Sequence, residues 1–107
     1  MKSSNVLRII LVTVPDIKVA RKLSRAALAA RLVACANIVP GLESHYWWRG
    51  KIESAKELLV LFKTTRNRLN ALEKLVLKTH PYDTPEFVVM KPSAATPRYL
   101  RWWIESA

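Results

Sequence analysis

The sequence is poor in the residues that build several common kinds of site. It has two glycines, Gly41 and Gly50, and no glycine-rich run, which excludes the phosphate-cradling loops of nucleotide-binding proteins. Its one cysteine, Cys35, excludes an internal disulfide framework, and there is no paired-cysteine motif to hold zinc. No apolar run approaches the roughly 20 residues that a membrane-spanning helix needs. The run from Val6 to Val14 is interrupted by Arg8 and followed by no small-residue cleavage site, so it reads as a strand rather than a leader. A soluble, cytoplasmic chain with no membrane partner is expected. Acidic residues are also scarce: eight Asp plus Glu stand against 18 Lys plus Arg, a formal net charge of +10. That excess raises nucleic acid or an anionic ligand as a partner, with a solvated basic face as the plainer reading.

Half of the 107 residues are apolar, enough for one core, so residues 1–107 are read as a single domain. β-Branched residues dominate Val6–Thr13, a strand, and Pro15-Asp16 supplies a turn and a helix cap. Val19, Leu23, Ala26, Ala27, Ala30 and Val33 then recur at helical spacing as a buried stripe. Ala36–Trp48 reads as a long strand bent at Pro40-Gly41. Arg49-Gly50 turns the chain, and Lys51–Glu53 and Lys56–Thr64 return, with Tyr46, Trp47 and Trp48 near the hairpin tip. Leu69, Leu72, Leu75 and Val76 mark a second helix that stops before His80-Pro81. Glu86–Lys91 is the last strand. Thr96-Pro97 starts a terminal helix with Tyr99, Leu100, Trp103 and Ile104 as its inner face.

This order is the split βαβ pattern of an α+β, ferredoxin-like sandwich, with a long hairpin between the second and third strands and an extra C-terminal helix. Right-handed crossovers put both main helices on one face of the sheet. Yet Ile9-Ile10-Leu11-Val12, Leu58-Leu59-Val60-Leu61-Phe62 and Phe87-Val88-Val89-Met90 are apolar at consecutive positions, so both faces call for burial. With about two large side chains per strand left on the second face, the unmet burial is on the order of 10 kcal/mol. A terminal helix of about nine residues is roughly 14 Å long and covers only part of that face. A second copy of the chain in closed symmetry is the expected cover.

Few side chains suggest chemistry. His80 precedes Pro81-Tyr82-Asp83-Thr84-Pro85-Glu86, a proline-stiffened loop in which an imidazole, a phenol and carboxylates are close enough to hold a metal or a polar ligand. A His that caps the preceding helix fits equally well. Cys35 opens a strand, either as a small buried side chain or as a thiol ligand. Lys63 ends an apolar strand, where it snorkels to water or binds an anion. Trp47 and Trp48 point to opposite faces, with at least one of them expected in a core. His45, on the hairpin, reads as a surface or interface residue.

These residues sit in longer motifs: Thr13-Val14-Pro15-Asp16, Leu32-Val33-Ala34-Cys35-Ala36-Asn37-Ile38-Val39-Pro40-Gly41, Tyr46-Trp47-Trp48-Arg49-Gly50-Lys51-Ile52, Lys63-Thr64-Thr65, His80-Pro81-Tyr82-Asp83-Thr84-Pro85-Glu86 and Tyr99-Leu100-Arg101-Trp102. In these motifs the chain resembles the CutA family of divalent-cation tolerance proteins from about Val6 to Glu105. The resemblance implies a homotrimer, PII-like in assembly, in which long hairpins join neighbouring subunits. It implies a link to copper and other divalent ions without an established reaction. By position, His80 matches a proposed copper ligand and Cys35 the family's recurrent cysteine. Members with a fuller proposed copper site carry a second histidine where this chain has Thr79 and a cysteine where it has Val12, so one of those three groups remains.

The expected function is therefore a non-enzymatic homotrimer that binds a metal ion, copper or another divalent cation, or a small ligand at subunit clefts. Lys63, Tyr82, Glu86 and Trp48 would line the cleft, with His80 and Cys35 as metal donors; no cofactor is obligatory. The alternative is an RNA-binding ferredoxin-like module that uses the basic surface, but its central strands would carry aromatics where this chain is aliphatic, so nucleic acid is not the expected partner. No nucleophile and base pair can be named for an enzyme.

Overall fold

The computed structural model describes residues 1–107. In chain order the elements are β1 (Lys2–Ser3), β2 (Leu7–Val14), α1 (Ile17–Ala29), β3 (Cys35–Trp48), β4 (Lys51–Thr65), a 3-10 turn (Arg66–Arg68) running into α2 (Leu69–Thr79), β5 (Val88–Met90), β6 (Ala94–Ala95) and α3 (Pro97–Ser106). The main sheet has the order β3-β4-β2-β5 with every neighbour antiparallel, the α+β ferredoxin-like arrangement. No helix is long and apolar enough to cross a membrane. The two-residue pairing of β1 with β6 was not expected from the sequence; it ties the first residues to the segment before α3.

Period-two alternation sorts the sheet into two faces. Ile10, Val12, Val14, Val60 and Phe62 are buried with Ala20, Leu23 and Ala27 of α1 and Leu72 and Val76 of α2. The opposite face carries Ile9, Leu11, Leu59 and Leu61, which stay half-buried. At one end of this face α3 packs Leu100 and Trp103 on Leu7, and the Trp103 indole N–H donates to the Thr64 carbonyl at 2.8 Å. The rest has no cover from its own chain. Arg8 does not interrupt β2: its guanidinium, almost wholly buried, donates to the Asn5 and Leu7 carbonyls at 3.0 and 2.8 Å.

Local signals explain most boundaries. The Asp16 side chain accepts from the Val19 N–H at 2.9 Å and caps α1. Arg49 and Gly50 both have positive φ, 51° and 77°, as a two-residue type I′ hairpin turn requires. The pairing of β3 with β4 shifts between Val39 and Leu42, where Gly41 has φ 81°.

Several expectations are corrected. The stripe of α1 does not run to Ala30 and Val33, because the helix stops at Ala29. Arg31 enters the left-handed region at φ 59°, its N–H bonds to the Leu28 carbonyl and the Leu32 N–H to that of Ala27, both at 3.0 Å. The last strand shrinks from Glu86–Lys91 to Val88–Met90. The inner face of α3 narrows to Leu100 and Trp103, since the helix covers only the sheet end; Tyr99 turns to Lys63 and Ile104 opens to a shallow groove beside Lys2. Neither Trp47 (72% exposed) nor Trp48 (38%) enters the core, because the hairpin that carries them projects beyond the sheet and stretches the chain to 45 × 26 × 23 Å.

Candidate functional site

The cleft lies on the open side of the sheet, where the projecting hairpin faces the loop after α2. After the bulge, Ser44, Tyr46 and Trp48 of β3 share a face with the odd-numbered residues of β4, because directly opposed residues of an antiparallel pair point the same way. Glu57 of β4 stands in that row beside Leu59 and Leu61. Tyr82 and Glu86 close the cleft from the loop, which two prolines stiffen. Together they enclose about 620 Å³.

Hydrogen bonds fix the floor. The Tyr82 phenol donates to Glu57 Oε2 at 2.7 Å, and Glu57 is only 8% exposed. Burial, and next the bond to Glu57, push the Tyr82 pKa well above its ordinary value, so the phenol keeps its proton. Glu86 Oε1 is shielded from water with no hydrogen-bond partner. Burial and the charge of Glu57 raise the Glu86 pKa, while the nearby Thr13 backbone N–H pulls the other way.

His80 is a buried strut at the edge of this cleft. Its Nε2–H donates to the Thr13 carbonyl at 2.8 Å, and its Nδ1 accepts the Tyr82 N–H at 3.1 Å. These two bonds engage both ring nitrogens, and the ring lies tilted by 52° against that of Tyr82, 4.6 Å between centroids. The bonds reach across to β2 and along the loop, so the helix-capping alternative is not what the ring does; only the His80 backbone N–H closes α2, on Val76.

Lys63 and Cys35 form a separate group. They oppose one another in register, and Lys63 opposes Ile9, whereas His80 holds on to Thr13. Four residues along β2 put the two groups about 13 Å apart. Lys63 Nζ donates to the Tyr99 hydroxyl at 2.8 Å and lies 5.9 Å from the centre of the Trp103 ring. The bond to Tyr99 raises the Lys63 pKa. Burial also raises that of Cys35, against the lowering charge of Lys63, so the thiol is not an activated nucleophile. Of the sequence-predicted residues, Trp48, Tyr82 and Glu86 come together, His80 supports them, and Lys63 and Cys35 stand at the other end of the same face.

No three His, Cys, Asp or Glu side chains converge in one chain, so its own donors do not fit a transition-metal centre. Sequence reasoning missed Glu57, whose signal is a lone carboxylate in phase with Leu59 and Leu61 at the head of an apolar strand. Tyr46 was noticed only as a tip residue.

Comparison with known proteins adds the relationship. The family described as CutA1 divalent ion tolerance protein matches residues 8–106. This chain belongs to the CutA1 family. The divalent-cation tolerance protein CutA of Thermus thermophilus is 42% identical over 98 residues, which cover 92% of this chain and 95% of that protein. The chloroplastic Protein CutA 1 of rice is 38% identical over 94 residues, 88% of this chain. The chain spans about half the length of the rice and mouse relatives, 53% and 51%. Among solved structures, the Thermus thermophilus Cut A1 protein superposes with a TM-score of 0.91 at 40% identity, over 94% of this chain and 98% of that one. CutA1 from Oryza sativa gives 0.92 at 35% identity, over 99% and 97%. The likeness in fold thus extends over nearly the whole chain.

Proposed function

We propose that this chain works as a single-domain, PII-like homotrimer that serves divalent-cation tolerance by binding a cation or a small ligand at clefts between subunits, with no catalytic step. The observation that carries the proposal is the continuity of the open sheet face with the cleft. Ile9, Leu11, Leu59 and Leu61 lie half-covered in the same rows as Thr13 and Glu57. A neighbouring copy that buries the apolar part therefore borders the polar part. The projecting hairpin, with Trp47 and Ile52 largely exposed, supplies further apolar surface for such contacts. Copper is the first metal to test: His80 has both ring nitrogens engaged and would have to give up one of its two hydrogen bonds to act as a donor, and Cys35, far from it within one chain, would be completed by neighbouring subunits. The RNA-binding alternative gains nothing from the open face, whose central strands are aliphatic.

Size-exclusion chromatography with light scattering should give a mass of three subunits, and a stable monomer would sink the proposal. Calorimetric titration with copper should give heat above background that His80→Ala abolishes. No heat, or the same heat in the variant, removes the metal half and leaves the small-ligand half.

A further inference from the structure

The chemistry of the cleft narrows its ligand. We propose that it takes a small organic ammonium, a protonated amine on a short carbon chain, rather than a bare metal ion. This inference rests on the reading of the cleft as a ligand site.

Three observations carry it. First, none of the ten residues that line the cleft is Lys or Arg, in a chain with 18 of them, whereas Glu57, Asp83 and Glu86 all reach it. Charge of one sign has been kept out of this place. Second, the carboxylates lack a cation. Glu57 is buried with a phenol as its partner, and Glu86 Oε1 is out of water with no donor at all. An ammonium group brings three N–H donors that need no fixed coordination geometry. A hard metal ion asks for six or so oxygens, and the side chains here do not converge to supply them. Third, Tyr46, Trp48 and Tyr82 put aromatic surface beside the carboxylates, and about 620 Å³ is the size of an organic ligand's pocket. Ring faces attract a cation and pack against its carbon chain, a combination that suits an alkylammonium and is wasted on a hydrated metal.

The test is calorimetry of the whole oligomer with putrescine as probe, 1,4-butanediol as its uncharged counterpart, and copper in parallel. Putrescine should bind once per subunit and change tryptophan fluorescence, and the diol should not bind. Glu86→Gln, which keeps the side chain's shape, should weaken putrescine about tenfold or more, and Trp48→Ala should weaken it several-fold. Circular dichroism checks that each variant is folded. Equal binding of amine and diol, undiminished binding in Glu86→Gln, or an oligomer structure with a neighbouring copy's Lys or Arg seated between Glu57 and Glu86 would overturn the inference. Copper binding without putrescine binding would overturn it and leave the proposed function standing. Binding of neither would overturn it and remove the metal half of the proposed function as well.

Discussion

Tyr82→Phe removes one oxygen and leaves the ring, so it isolates the hydrogen bond on which the cleft floor rests. The phenol is 2.7 Å from Glu57 Oε2, and Glu57 is 8% exposed. No Lys, Arg or His lies within salt-bridge distance of Glu57, because the only such contact in the chain joins His45 and Glu43. The carboxylate therefore depends on this donor. A hydrogen bond to a charged group contributes about 1.5 to 3 kcal/mol, and the stranded carboxylate regains some water through the cleft, which puts the expected loss near 2 kcal/mol. The variant keeps the ring that packs, tilted, against His80, so packing does not confuse the reading. The assay is urea unfolding at fixed protomer concentration, where an unchanged slope and a lower midpoint report stability alone. A double-mutant cycle with Glu57→Gln should show a coupling of about 1 kcal/mol or more. A loss below about 0.5 kcal/mol, or a coupling near zero, would refute the claim that Tyr82 secures Glu57.

Glu86 gives a pH dependence of defined sign. Its pKa is raised in the folded chain by burial and by the charge of Glu57, so just above the ordinary carboxylate value the folded state binds more protons than the unfolded one, and stability falls as pH rises through that window. Glu86→Gln cannot ionise, so its urea midpoint should match the wild type at about pH 4 and exceed it at about pH 7, and the reverse order would contradict the assignment. Gly50→Ala should cost about 1 kcal/mol in thermal unfolding through backbone strain alone, since Gly50 has φ 77° and an added Cβ meets nothing within 4 Å. Phe62→Ala empties a fully buried position between sheet and helices and should cost about 3 to 5 kcal/mol; a smaller loss would mean that the core closes over the gap.

What could be read from the sequence was whatever short-range chemistry specifies. Asp16 reads as a cap, Arg49-Gly50 as a turn and Pro40-Gly41 as a bend, because each acts on neighbours a few residues away. The placement of both main helices on one face followed from chain handedness. What could not be read depends on contacts distant in sequence or on residues in unusual roles. Arg31 carries the left-handed end of α1, a place where glycine or asparagine normally gives the signal. The β1–β6 pairing joins two residues to two others more than ninety positions away and leaves no periodicity. Lys63, Tyr82 and Glu86 look alike in the sequence because all are polar groups next to apolar strands, yet within one chain they do not come together. Only the β2–β4 register, with Lys63 opposite Ile9 and Leu59 opposite Thr13, shows that they occupy opposite ends.

Glu57 was missed for the same reason, yet in the proposed trimer it would link assembly to ligand. Alternate residues of a strand are about 7 Å apart on one face, so Leu59 is the next side chain in Glu57's row, and Leu61 the one after. These leucines are only half covered, so the side of the cleft they border is open to water. A copy of the chain laid on Leu59 and Leu61 would exclude that water and lower the effective dielectric around Glu57, where a charge interaction grows as the dielectric falls. An empty cleft then becomes less comfortable for two neighbouring carboxylates, and a cation between them is held more tightly. In the proposed assembly the apolar face and the acidic cleft would thus be parts of one device, in which burial of the first sets the strength of the second.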